Sequence, residues 1–154
     1  MRFRPFALFL ACSLALPGLL AADTVLNFES LGDGVSVTTQ FSGLTFSNTI
    51  ALTAGISLDE FEFPPHSGSV VVSDDGGPIG ITFAAPVTTF GGYFTYAEPL
   101  TLTAFDASST AVDSATSAFS NNMGLSGDPG SSPNELLSLS FAGGISSVLL
   151  EGDS

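Results

Sequence analysis

The chain has 154 residues, with two basic and 15 acidic side chains and a formal charge of −13 at neutral pH. Both basic residues, Arg2 and Arg4, precede Asp23 and every carboxylate follows Ala22, so the segment from Asp23 onward carries −15 and no fixed cation. Electrostatic capture of nucleic acid or of an anionic membrane, which relies on Lys and Arg, is excluded; such a surface draws cations instead and keeps a strand-rich protein in solution.

Arg2 and Arg4 lead into an apolar run from Phe6 to Leu16, and Ala21-Ala22 offers small residues just before Asp23. This is the layout of a secretory signal peptide over residues 1–22, with cleavage before Asp23. Pro17 and Gly18 interrupt the run, whereas a membrane span needs about 20 apolar residues. No membrane span is expected in the mature chain. Cys12, the single cysteine, falls in the leader, so the remainder has no disulfide. Residues 23–154 read as one exported domain held by packing. Eleven of the fourteen phenylalanines lie there, and each contributes about 1.5–3 kcal/mol when buried.

In chain order, Thr24 to Phe28 reads as a first strand and Leu31-Gly32-Asp33-Gly34 as a turn. Val35 and Val37 alternate with Ser36 and Thr38, Ser42-Gly43 turns, and Leu44 and Phe46 alternate again. Ile50 to Leu52 is a short strand. Leu58 to His66, acid-rich and ending near Pro64-Pro65, reads as a loop. Val70 to Val72 is a strand, stopped by the turn residues Asp74 to Pro78.

The organising stretch is Ile79 to Asp106, which reads as three consecutive strands. The first ends at Pro86, which has no N–H to donate. The second, Val87 to Tyr96, contains Gly91-Gly92, which signals a bulge, a bend or a close approach. Glu98-Pro99 turns, and Leu100, Leu102 and Ala104 alternate with Thr101, Thr103 and Phe105. After Asp106 the residues around Val112 are small and polar, and no strand is assigned there. Asn121 to Pro133 is a long loop by composition. Leu137, Leu139 and Phe141 alternate with serines, Gly143-Gly144 turns, and Ile145 to Leu150 is a last strand. No segment shows a helical period. Short strands at spacings of about ten residues point to an all-β antiparallel β-sandwich. The sequence stops on Glu151-Gly152-Asp153-Ser154, just after a strand, and reads as a domain lacking its last strand.

The segments NFESLGDG, VTTQFSGLTFSN, ITFAAPVTTFGGYFT, LTLTAFDA and ISSVLLEGDS, in that order, resemble a large group of bacterial secreted domains. These are similar to the galactose-binding-like jelly rolls of carbohydrate-binding modules, and many belong to proteins with a PEP-CTERM sorting signal. The resemblance spans nearly all of Asp23 to Ser154. It implies a jelly roll exported to the cell envelope or extracellular matrix, with polysaccharide or matrix components as partners. In that group a further strand and a sorting tail follow the equivalent of Glu151-Gly152; neither is present in this sequence. The resemblance also implies a structural calcium ion where the first strand meets the last. By position Glu29, Asp33, Glu151 and Asp153 would supply its oxygens, of which calcium takes six to eight. The alternative for these four is that they are solvated turn residues; no Asp-x-Asp-x-Asp-Gly loop is present. Asp74-Asp75-Gly76-Gly77 is a second acidic candidate, adequately explained as a turn.

No catalytic residue is assigned. His66 is the lone histidine, in a loop and without a cysteine partner, and no Gly-x-Ser-x-Gly elbow exists. Zinc would need several His or Cys. A glycosidase needs two carboxylates across a cleft, but among 15 such pairs arise by chance. The expected function is therefore a non-catalytic adhesion or scaffolding domain. The alternative is a secreted carbohydrate-active hydrolase or its accessory module. For sugar stacking only Tyr93 and Tyr96 qualify. Three apart in a strand, they face opposite ways, which is equally the pattern of one core residue and one edge residue.

Overall fold

The computed structural model describes residues 24–152. The expected signal peptide and Asp153 lie outside them. The described residues form seven strands: β1 (Leu44–Ser47), β2 (Thr49–Thr53), β3 (Val70–Asp74), β4 (Ile79–Phe94), β5 (Leu100–Phe105), β6 (Ala111–Thr116) and β7 (Glu135–Gly152). Five form one sheet in the order β1-β4-β7-β5-β6, and β2 and β3 form a second. Every strand pair is antiparallel. One apolar cluster draws Phe46, Ile81, Leu102, Leu139 and Val148 from the large sheet and Ala51 and Val70 from the small one. The protein is the all-β antiparallel sandwich that its alternation predicts. In β5 the prediction holds residue by residue: Leu100, Leu102 and Ala104 are buried while Thr101, Thr103 and Phe105 are half-buried.

Pro86 and Gly143-Gly144 do not end strands, contrary to expectation. Each lies inside one of the two longest strands, and the two breaks face each other. Thr82 pairs with Ser147 and Thr89 with Ser140, so the same seven steps separate these pairs on β4 and on β7. Between them only Val87 and Ile145 pair, out of register. The apolar face of β4 passes from Ile79, Ile81 and Phe83 to Phe90 and Phe94, an odd-to-even switch. On β7 it passes from Leu137, Leu139 and Phe141 to Val148 and Leu150. Both strands make the same excursion, so the ladder resumes in register with the apolar sides still inward. A slip on one strand alone would turn its apolar set outward. Gly144 sits at φ +97, and a Cβ there would lie 2.9 Å from Pro86 Cβ. Proline is tolerated at this point because the ladder is already interrupted.

Three other expectations change. Thr24 to Phe28 joins no strand, although Leu26 and Phe28 pack on the core. Phe28 adopts φ 54 and its carbonyl accepts from Leu31 N–H (3.0 Å), which turns the chain away. Val35 to Thr38 makes a single bridge, Ser36 to Ile50, rather than a strand. Conversely, β6 forms where no strand was expected. It pairs with β5 alone, and as an edge strand it has no need of a regular apolar face. Asp106 shapes its hairpin: Oδ1 accepts from Ser108 N–H (2.8 Å) and Thr110 N–H (2.9 Å).

Gly144→Ala should destabilise the protein by about 2 kcal/mol through its left-handed backbone and the contact with Pro86. Thermal unfolding followed by circular dichroism should show a midpoint lower by roughly 5–10 °C.

Candidate functional site

Beyond the irregular segment, β4 and β7 present an outward strip. Tyr93 faces Leu136, Gly91 faces Ser138 and Thr89 faces Ser140, and all six are exposed. The strip is low at Gly91, where a Cβ would stand 3.2 Å from the Leu137 carbonyl oxygen. The close-approach reading of Gly91-Gly92 is the one that applies, since the ladder runs through both without a register shift. At one end the His66 ring stacks on the Tyr93 ring, with centroids 3.5 Å apart and planes within 7°. Tyr93 keeps half of its surface in solvent (50 %) and Leu136 keeps 58 %. The strip is thus a run of small hydroxyl-bearing residues closed by an aromatic slab.

His66 belongs to the loop between β2 and β3, which is pinned on both sides. Glu62 Oε2 accepts from Leu125 N–H (3.0 Å) and Ser126 N–H (3.1 Å). Asn134 Nδ2 donates to the Pro64 carbonyl (3.0 Å). These bonds deliver the imidazole onto Tyr93.

Tyr96 is buried (6 % exposed), so the two tyrosines divide as their spacing predicts. Its hydroxyl donates to Glu135 Oε2. Burial first, and that bond second, push the phenol above its usual range. Asn122, fully buried, replaces the ladder where β4 ends. Its Oδ1 accepts from Tyr96 N–H (2.7 Å), and its Nδ2 donates to the carbonyls of Phe94 (3.0 Å) and Ser132 (3.1 Å). Tyr96 and Asn122 together fix the chain just after Tyr93.

The carboxylates assigned to calcium serve separate segments. Glu29 Oε1 accepts from Ser69 N–H (3.0 Å) and Val70 N–H (2.9 Å). Asp33 Oδ1 accepts from Thr53 N–H (2.8 Å) and Ser57 Oγ–H (2.5 Å). Glu151 is exposed on β7, where its backbone faces Thr101 of β5. Asp153 lies outside the described residues. No three His, Cys, Asp or Glu side chains among the described residues are placed to hold a metal ion, so the described part of the proposed set is not gathered into a cradle. Asp74 is the last residue of β3 and Asp75 N–H donates to the Asn48 carbonyl (2.9 Å), as the turn reading has it.

Sequence reasoning missed Leu136 and Asn122. Leu136 carried a signal, because it is a leucine on the wrong side of the Leu137, Leu139 alternation. Asn122 carried none: in a loop rich in Asn, Gly and Ser, a buried asparagine reads like a turn residue. No protein-family model, curated protein or solved structure matches this chain.

Asn122→Ala removes three side-chain hydrogen bonds at a buried position and should cost about 3 kcal/mol, measured by urea unfolding. Acid should act through the loop carboxylates. Val70 and Ser69 N–H lower the Glu29 carboxyl, the Ser57 hydroxyl and Thr53 N–H lower Asp33, Leu125 and Ser126 N–H lower Glu62, and the Ser108 hydroxyl and Thr110 N–H lower Asp106. A carboxyl lowered on folding contributes stability that is complete above its unfolded value, 3.8 for Asp and 4.5 for Glu. That stability is lost as the pH falls through the folded value. In about 0.5 M salt, which screens mutual repulsion among the acids, the urea midpoint should hold above about pH 5 and fall between about pH 5 and pH 3.

Proposed function

We propose that this protein is an exported, non-catalytic β-sandwich domain of a cell-envelope or extracellular-matrix protein, acting by adhesion or scaffolding with polysaccharide as its ligand class. The observation that supports it is the exposed His66–Tyr93 slab beside Leu136, at the end of a strip lined by Thr89, Gly91, Ser138 and Ser140. A pyranose presents an apolar face and a hydroxyl rim. Rigid aromatic rings suit the face, and serine and threonine hydroxyls donate to or accept from the rim. The strip is open along its length, which fits an internal stretch of polymer better than a chain end. Export is supported by the leader-like residues 1–22, and the jelly-roll resemblance points to the same ligand class.

Affinity electrophoresis through gels containing galactomannan, xylan or β-glucan tests the reading. At least one polysaccharide should retard the protein, and Tyr93→Ala, at an exposed side chain, should abolish the retardation without lowering the unfolding midpoint by more than a few degrees. Equal retardation of the variant would remove the slab from the site. Turnover of the polysaccharide, lost on a carboxylate-to-amide change, would favour the hydrolase instead.

A further inference from the structure

The two sheets do not cover each other completely. An open concavity of about 2130 Å³ is lined by β3, by the core side of β4 and, at its rim, by His66, Tyr93 and Leu136. All five residues of β3 line it, but only Leu52 of β2 does. Its far wall includes Ile79, Phe83, Val87, Phe90 and Phe94, which face the core side of β4 yet are only half-buried. In a closed sandwich such residues would be covered.

Among the described residues β3 is an edge strand, paired with β2 alone. The hydrogen bonds of Ala51 show which of its backbone groups are free. Ala51 N–H donates to Val35 O (2.9 Å) and Ala51 O accepts from Gly34 N–H (2.8 Å), so both point away from β3. Ala51 pairs with Val72, and by the antiparallel alternation the N–H and C=O of Val72 point away from β2. Glu29 takes the neighbouring Val70 N–H at the head of the strand. Among the described residues nothing takes the N–H of Val72.

Proteins normally blunt such an edge with Lys, Pro or a bulge. This edge reads Val70-Val71-Val72-Ser73-Asp74 and has none of them. Charge decides what can add to it. Asp59, Asp74, Glu98 and Glu151 line the cleft, and no Lys or Arg exists after Arg4. A second copy, equally acidic, is repelled.

We propose that the open edge of β3 docks an extended cationic segment of another protein by strand addition. Alternate apolar residues of the segment would enter the cleft against Phe83, Phe90 and Phe94, and Lys or Arg between them would meet the acidic rim. Main-chain bonds to Val72 give affinity, and the pockets beside the strand give selectivity. His66 and Tyr93 also line this cleft, at its rim; the docking rests on the edge of β3 and on Phe83, Phe90 and Phe94, and does not depend on the polysaccharide reading.

The test uses a labelled peptide of alternating Lys and Val, about ten residues long so as to exceed β3, and its Glu-Val counterpart, with binding read by fluorescence anisotropy. The Lys-Val peptide should bind and weaken roughly tenfold or more between low and physiological salt; the Glu-Val peptide should not bind. Val72→Pro, which removes the free N–H, should weaken binding at least about tenfold. Should that variant unfold, hydrogen exchange on the unaltered protein decides: the Val72 amide should be slowed by the Lys-Val peptide. Absence of binding, binding that leaves Val72 exchange unchanged, or a dimer in sedimentation that buries β3 would overturn the proposal.

Discussion

The pairing of β4 with β7 is the interaction on which the architecture depends. The two are the longest strands, and every other strand of the large sheet attaches to one of them or to its neighbour: β1 to the first part of β4, β5 to the last part of β7, and β6 to β5. Their shared excursion around Pro86 and Gly144 divides the pair into two regular ladders. One ladder carries the flanking strands. The other, from Thr89 to Phe94 against Glu135 to Ser140, carries no third strand and leaves Tyr93 and Leu136 in solvent. The outward strip exists because alternation sets Thr89, Gly91 and Tyr93 on the face opposite Phe90 and Phe94. The excursion must be matched on both strands, since an unmatched residue would invert the faces of everything beyond it.

A second constraint is the absence of fixed cations from the folded part of the chain. No carboxylate can be paired with Lys or Arg there, and no disulfide is available. Carboxylates instead collect backbone N–H groups across long separations. Glu29 reaches Ser69 and Val70, Asp33 reaches Thr53, Glu62 reaches Leu125 and Ser126, and Asp113 reaches Ser140. Charge-assisted bonds of this kind are shorter and stronger than neutral ones. The loops thus gain anchors that ion pairs or disulfides supply elsewhere, and Glu62 is among those that hold His66 in place.

The sheet class was legible because alternation is a local signal: β5 could be read from Leu100, Leu102 and Ala104 without knowing its neighbours. Strand length was not legible, because Pro86 and Gly144 look like terminators when each is read alone. Only their position opposite one another makes them a matched pair, and that is a fact about register. The same holds for the carboxylates. Glu29, and Asp33 between two glycines, read as turn residues or cation ligands, yet their partners lie about 20 to 40 residues away. For the site, the tyrosine spacing set Tyr93 and Tyr96 on opposite sides, and burial shows Tyr93 to be the outward one. The stacking of His66 was beyond reach, since it depends on a loop held by Glu62 and Asn134.

The acidity and the open edge bear on each other. A run of three valines on an edge strand above a half-covered row of phenylalanines is the kind of surface that assembles with its own kind. A formal charge of −15 on the segment from Asp23 opposes that assembly over roughly a Debye length, about 8 Å at physiological salt, which is longer than the 4.7–4.9 Å at which strands pair. Repulsion between copies therefore acts at the separation where self-addition would begin. A segment of opposite sign meets no such barrier. The charge that preserves the exposed edge in solution is also what would discriminate among the strands able to reach it.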